Sequence, residues 1–411
     1  MSDTPTLDLD FVRGQFPAFD APSLDGWAFF ENAGGSYACR QTIDRLHAFY
    51  TLTKVQPYAP YPASTEGGRL MDDAYVRLGD VMNVGHDEVH IGPSTSQNTY
   101  VLAHAFRSIW ADADEIIVTN QDHEANSGVW RRLAETGVIV KDWKVDPDSG
   151  MLDPAALEAL ITDRTRLVAF PHCSNIVAHE NPVASICSML RELGVVSVVD
   201  GVSAAPHGLP DVSALGADIY LFSAYKTWGP HQGVMTVKRP VCDSLTNQSH
   251  FFNDGSIRAR LTPAGPDHAQ VAALNGVVDY IDALHEAHFD DGAMPSERGR
   301  RVHDLIRAHE VKLLAPLLEF LDSRSDVRVL GPTDPSIRVP TVAMLSERNP
   351  HDVARDLADH KVMAGAGDFY GVRVIEGMNI ASDPGVLRVS FVHYTSPDEI
   401  TQLIDALDAT L

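Results

Sequence analysis

Cysteine is scarce in this chain of 411 residues. It occurs four times, at Cys39, Cys173, Cys187 and Cys242, with no CxxC pair and no regular spacing. That argues against a disulfide framework and against a zinc site, so no metal is expected. It points instead to reduced thiols in a cytoplasmic protein. Positive charge is also short. Lys and Arg number 32 against 56 Asp and Glu, a net charge of -24. No basic surface stands out that would neutralise phosphates, so neither nucleic acid nor an anionic membrane is expected as a partner. Basic pairs such as Arg131-Arg132, and the run from Arg298 to Arg301, read as solvated helix faces. Long apolar runs are missing too. None approaches the ~18 uncharged residues of a membrane span. The chain opens MSDTPTLDLD, with no basic or apolar region of a secretory signal.

What is present describes an ordinary globular protein, with 44% apolar and 21% charged residues and length enough for two domains. Between residues 85 and 240, short apolar runs alternate with helical patterns. The runs are EIIVT (Glu115 to Thr119), RLVAF (Arg166 to Phe170), VVSVV (Val195 to Val199), DIYLF (Asp218 to Phe222) and GVMTV (Gly233 to Val237). Ile186, Met189, Leu190 and Leu193 keep the spacing of a helix face. Strands alternating with helices predict an α/β fold with a mostly parallel sheet covered on both sides. Ligands of such sheets sit beyond the carboxyl ends of the strands. The tail differs. A long amphipathic helix is expected over Arg301 to Leu321, strands over Val327 to Leu330, Thr341 to Leu345 and Leu387 to Val392, and a closing helix carrying Ile400, Leu403, Ile404 and Leu407. This is a smaller α+β domain beginning near residue 285. By fold analogy the first ~20 residues pack on it.

Several polar residues stand just past predicted strand ends. Lys226 lies in Ser223-Ala-Tyr-Lys-Thr-Trp-Gly-Pro-His231, directly after DIYLF. It reads either as a surface loop lysine or as a Schiff-base lysine whose amine is desolvated by Tyr225 and Trp228. Ser223 offers a hydroxyl to a phosphate. Asp200 closes VVSVV. A buried aspartate there needs a cation such as a pyridinium nitrogen, unless it caps the Asp-Gly turn. His123, after EIIVT, can stack on a cofactor ring and carry protons, or be a hydrogen-bonded loop histidine. Asn175 follows the run ending HCS and can bond a cofactor oxygen or a carboxylate. Ser94, Thr95 and Ser96 open a helix, as plain caps or as a phosphate seat. Arg388, inside GVLRVSFV, demands an anion, either a substrate carboxylate or an internal partner.

Taken in order, FENAGG (30–35), STSQN (94–98), DHEAN (122–126), HCSN (172–175), VVDGVS (198–203), FSAYKTWGPH (222–231) and LRVSFVHY (387–394) resemble the class V aminotransferase family. These are fold-type I enzymes dependent on pyridoxal 5'-phosphate (PLP), and the likeness is to their cysteine desulfurase-like subgroup. The resemblance implies a fold-type I PLP-dependent transferase with a seven-stranded, mostly parallel sheet. Residues 24–285 would form the large PLP-binding domain, and residues 1–23 with 286–411 the small domain. It implies a homodimer with active sites near the subunit interface. Lys226 becomes the Schiff-base lysine, Asp200 the pyridinium partner and His123 the stacking ring, the catalytic set. Thr95, Ser96, Ser203 and Ser223 join the cofactor contacts, Asn175 among them. Asn32, Asn175 and Arg388 serve the substrate.

Three departures matter. Many desulfurases carry glutamine where Ser203 stands and histidine where Tyr225 stands, so His207 or Tyr225 would have to compensate. Near 263–266, where the family reaches across to the partner's phosphate, proline stands at Pro266. The C-terminal loop, Met363-Ala-Gly-Ala-Gly-Asp-Phe-Tyr370, lacks the cysteine that takes sulfur as a persulfide, leaving Asp368 and Tyr370 to touch the substrate side chain. The expected function is a PLP-dependent C–S (β-elimination) lyase acting on a small amino acid without a protein persulfide. A class V aminotransferase or amino-acid epimerase is the alternative, and a non-catalytic PLP-binding accessory protein stands further off.

Overall fold

The structure is a computed structural model, and it describes residues 5–411. Seven strands form the central sheet, in the order Val89–Gly92, Gly233–Val237, Ile219–Ser223, Val196–Asp200, Thr165–Pro171, Glu115–Thr119, Ile139–Trp143. Gly233–Val237 runs antiparallel to both neighbours, and every other pairing is parallel. The expected mostly parallel sheet is therefore found, with strand bounds shifted by a residue where a polar residue ends the apolar run. Asp200 and Ser223 are the last residues of their strands. Continuous burial of Glu115–Thr119 and Ile219–Ser223 fits a sheet covered on both faces.

A second sheet, antiparallel throughout, takes the order Gly365–Gly367, Val386–Ser390, Thr341–Ser346, Val327–Val329. It packs with the helices Pro295–Asp322 and Pro397–Thr410 around Leu314, Leu317, Val342, Val389 and Leu403. The long helix starts at Pro295, six residues ahead of its apolar stripe, because proline at a first turn sacrifices no hydrogen bond. Residue 285 lies inside the Asn275–His288 helix, and the chain leaves that helix at Phe289.

Of the expected N-terminal packing, residues 1–4 lie outside the described residues. The remainder bridges both parts. Phe16 packs on Tyr280 and Tyr394, Arg13 pairs with Glu399 at 2.9 Å, and the Asp8 N–H donates to His288 at 2.7 Å. Among the described residues no helix is long and apolar enough to cross a membrane.

Candidate active site

A cavity of about 320 Å³ opens at the carboxyl edge of the large sheet. Thr95, Ser96, His123, Asn175, Asp200, Ser203, Ser223 and Lys226 line it, together with Ser94, Asp122, Cys173, Tyr225 and His231. Each is delivered by a strand end or the turn after it, which is why residues 130 apart in sequence share one wall.

Lys226 sits in a single helical turn directly after Ile219–Ser223 and is buried. Burial, and then the charge of Arg388, lower its amine to about 8, with Asp200 and Glu31 pulling the other way. Asp200 is pushed up to about 6 by burial, against a hydrogen bond from the Val202 N–H (2.8 Å) and the charge of Lys226. Its second oxygen takes no hydrogen bond from a described residue. A buried carboxylate in that state is completed by a cation.

His123 caps the Glu124–Arg131 helix, its Nδ1 accepting from the Ala125 N–H at 3.0 Å. That bond leaves the ring proton on Nε2. Burial and the neighbouring Lys226 and Arg388 hold the imidazole neutral, down to about 3.

At the other end, the Thr95–Arg107 helix begins on Ser94, whose hydroxyl accepts from the Gln97 N–H at 3.2 Å. Thr95 Oγ1 lies 2.8 Å from Ser223 Oγ. Gly233 passes beneath this helix start so closely that an added Cβ would overlap the backbone of Ser94 and Thr95. Free N–H groups and hydroxyls at a helix N-terminus make an anion seat. Tyr225 stacks face to face on His231, centroids 4.8 Å apart.

The residues assigned to the substrate are placed less uniformly. Arg388 is buried and pairs with Glu31 at 2.6 Å. Its Nη1 donates to the Asn175 carbonyl at 3.3 Å, and Phe369 lies 3.7 Å over its Cζ. The internal-partner alternative is thus realised in this state. Asn175 donates to the Phe369 carbonyl at 2.9 Å. Tyr370 is 71% exposed, and its ring lies 5.4 Å from that of His123 without lining the cavity. Asp368 accepts from the Tyr370 N–H at 2.7 Å. Asn32 lines a smaller neighbouring pocket rather than this cavity. Its amide donates to the carbonyls of Phe29 and Ser390 and its Oδ1 accepts from Tyr394. His207 faces Glu310, 3.0 Å away, so it does not stand in for a missing ring contact. Tyr225 does line the cavity.

Sequence reasoning passed over Asp122, His231, Glu31 and Phe369. Asp122 precedes His123 in a motif already noted, but only the turn geometry brings both side chains to one cavity. Glu31 acts on Arg388 from 357 positions away and Phe369 from the neighbouring loop, and no local signal marks either contact.

A family model described as aminotransferase class-V matches residues 28–285. The aminotransferase-like protein FGM3 of Gibberella zeae is 34% identical over 99% of both chains. A probable cysteine desulfurase of Streptomyces coelicolor is 27% identical over 98% of this chain and 97% of its own. In fold, the chain is similar to a cysteine desulfurase of Thermococcus onnurineus, with TM-score 0.85, 22% identity and 98% of both chains covered. The chain belongs to the aminotransferase class-V family and is a PLP-dependent enzyme of cysteine desulfurase-like fold. The residues present fit that cofactor: an amine, an under-partnered buried carboxylate and a neutral imidazole in one cavity, and a close-packed helix start for the phosphate.

Proposed function

We propose that the protein is a C–S lyase acting by β-elimination on a small, sulfur-bearing amino acid, with no protein persulfide. The observation that carries this reading is the state of the thiols. No cysteine stands in the Met363 to Tyr370 loop, and burial raises the thiol pKa at Cys39, Cys173, Cys187 and Cys242 alike. Cys173 lines the cavity, yet burial keeps it protonated and a poor nucleophile.

PLP held there supplies an electron sink for the charge left at Cα. Asp200 holds the ring nitrogen's proton, and His123 presents a neutral face. The seat formed by Ser94, Thr95, Ser96 and Ser223 fixes the phosphate, and Ser203 and Tyr225 close that wall. Lys226, whose amine burial brings down to about 8, would take the Cα proton in its neutral form. Asn175 and Arg388 would orient the carboxylate, and Asp368 and Tyr370 would meet the side chain. The electron pair left at Cα would form the Cα–Cβ double bond as the Cβ–S bond breaks, the sulfur leaving as a thiolate that takes up a proton, and water would convert the released enamine to the 2-oxo acid and ammonia.

The reading includes a homodimer. A cavity of about 870 Å³, walled by Tyr100, Val101, Leu261, Pro263 and Pro266 and sharing Ser94 and His231 with the site, supports a second copy there. It also includes the cytoplasm, in keeping with four free thiols.

Product analysis tests it. Incubation with a panel of sulfur amino acids should release a 2-oxo acid, ammonia and a sulfur species, and the Cys173→Ala variant should keep most of that release. Transfer of the amino group to a 2-oxo acid, racemisation without release, or loss of sulfur release in Cys173→Ala would each overturn it.

A further inference from the structure

Arg388 lies almost wholly inside the protein, its side chain 3% exposed, whereas that of its partner Glu31 is 29% exposed. A buried guanidinium is costly, and an anion beside it offsets part of that cost. The pairing is a poor one. It rests on a single bond, Arg388 Nη2 to Glu31 Oε1 at 2.6 Å. Among the described residues, Arg388 Nε and Glu31 Oε2 are both buried without a hydrogen-bond partner. An arginine and a carboxylate do best with two parallel bonds.

The geometry explains why this pair stops at one. Glu31 bridges to Ser390, two residues along the strand from Arg388, which fixes its backbone. Its Oε2 end lies against Gly365, where an added Cβ would meet it. The Asn175 carbonyl takes Nη1, and the Phe369 ring covers the guanidinium face. A free amino-acid carboxylate has none of those restraints and can bond Nη2 and Nε together. It cannot do so while Glu31 holds Nη2.

Resting on the reading of Arg388 as the substrate's carboxylate clamp, we propose that Glu31 is a specificity-determining residue: it is the resident counter-ion of Arg388, and the substrate's carboxylate binds by replacing it. The more exposed of the two partners is the one that moves, swinging toward solvent while Arg388 stays. A ligand with an amine and no carboxylate leaves Glu31 in place. Glu31 therefore weakens amino acids and is neutral toward amines, which narrows the preference the arginine alone would impose.

The test uses the PLP-loaded enzyme and its Glu31→Gln and Glu31→Ala variants, checked for native melting behaviour. L-alanine and ethylamine are titrated by visible absorbance, and propionate by calorimetry. Loss of a competitor worth ~1 kcal/mol should tighten L-alanine and propionate by about five- to tenfold in both variants, with ethylamine unchanged. Should one variant fail to fold, the other carries the comparison. Equal or weaker binding of L-alanine and propionate in the variants overturns the proposal while leaving the amino-acid reading intact. Tightening of propionate with no spectral response to L-alanine in any form upholds the exchange and instead overturns the reading of an amino-acid substrate.

Discussion

Lys226 shows how far one residue can be held from its ordinary state. In an unfolded chain its amine stays charged up to its usual 10.5, but in the folded protein burial and Arg388 bring it to about 8. The unfolded state therefore binds more protons between those two values, and stability rises with pH across that window. Below about 8 both states are protonated, and folding carries the full penalty of a buried ammonium. Lys226→Met removes that penalty along with the reactive amine. The variant apoprotein should be more stable than the parent by on the order of 1–3 kcal/mol near neutral pH, and the difference should shrink toward pH ~10. Urea unfolding at the two pH values checks this, and a less stable variant at neutral pH would contradict the assignment. Turnover should fall by more than about a hundredfold, the ordinary worth of a positioned proton carrier.

At the level of elements, the site depends on strand ends and one helix start. The crossing of Gly233 beneath the Thr95–Arg107 helix sets backbone against backbone. Gly233→Ala puts a methyl group against the backbone of Ser94 and Thr95, which no side-chain rotation relieves. The helix start has to move, and the hydroxyls of Ser94 and Thr95 move with it. Melting temperature should drop by a few degrees, as for an overpacked site worth 1–3 kcal/mol, and PLP affinity should fall by about tenfold or more. A variant that melts early yet binds PLP normally would separate the helix start from the cofactor. Five of the seven strands were legible in the sequence because apolar β-branched runs such as VVSVV sit between helical patterns, whereas Val89–Gly92, only four residues long, and Ile139–Trp143, a half-exposed strand at the sheet edge, were not. Their ends were legible to within a residue or two, which sufficed to put Asp200, His123 and Lys226 on one edge. The helix from Pro295 was only partly legible, since Pro295 to Arg301 carries no apolar stripe. Neither the engagement of Asn32 with Ser390 and Tyr394 nor the pairing of Glu31 with Arg388 was legible. Both join residues more than 350 positions apart, where no period or spacing links the partners.

For the molecule as a whole, the charge sets a problem that the site solves locally. The chain carries a net charge of -24, and its cofactor carries a phosphate dianion. The attractive features around the cavity are few: the helix start at Ser94, the amine of Lys226 and the buried Arg388, the last already neutralised by Glu31. Such features act at contact distance, whereas the summed repulsion of the surface acts as far as salt allows. The screening length is ~30 Å at 0.01 M salt and ~8 Å at 0.15 M, so the approaching cofactor meets most of the negative surface only at low ionic strength. Association of PLP with the apoprotein should therefore speed up a few-fold as salt rises over that range. A phosphate ligand steered by a basic patch shows the opposite trend. Stopped-flow tryptophan quenching gives the rate directly, with Trp228 two residues from Lys226 as a built-in reporter. A rate that falls with added salt would mean that local cations, rather than net charge, govern the approach. The phosphate seat would then have to reach well beyond the helix start, to a basic contribution from a second copy of the chain across the Leu261 to Pro266 face.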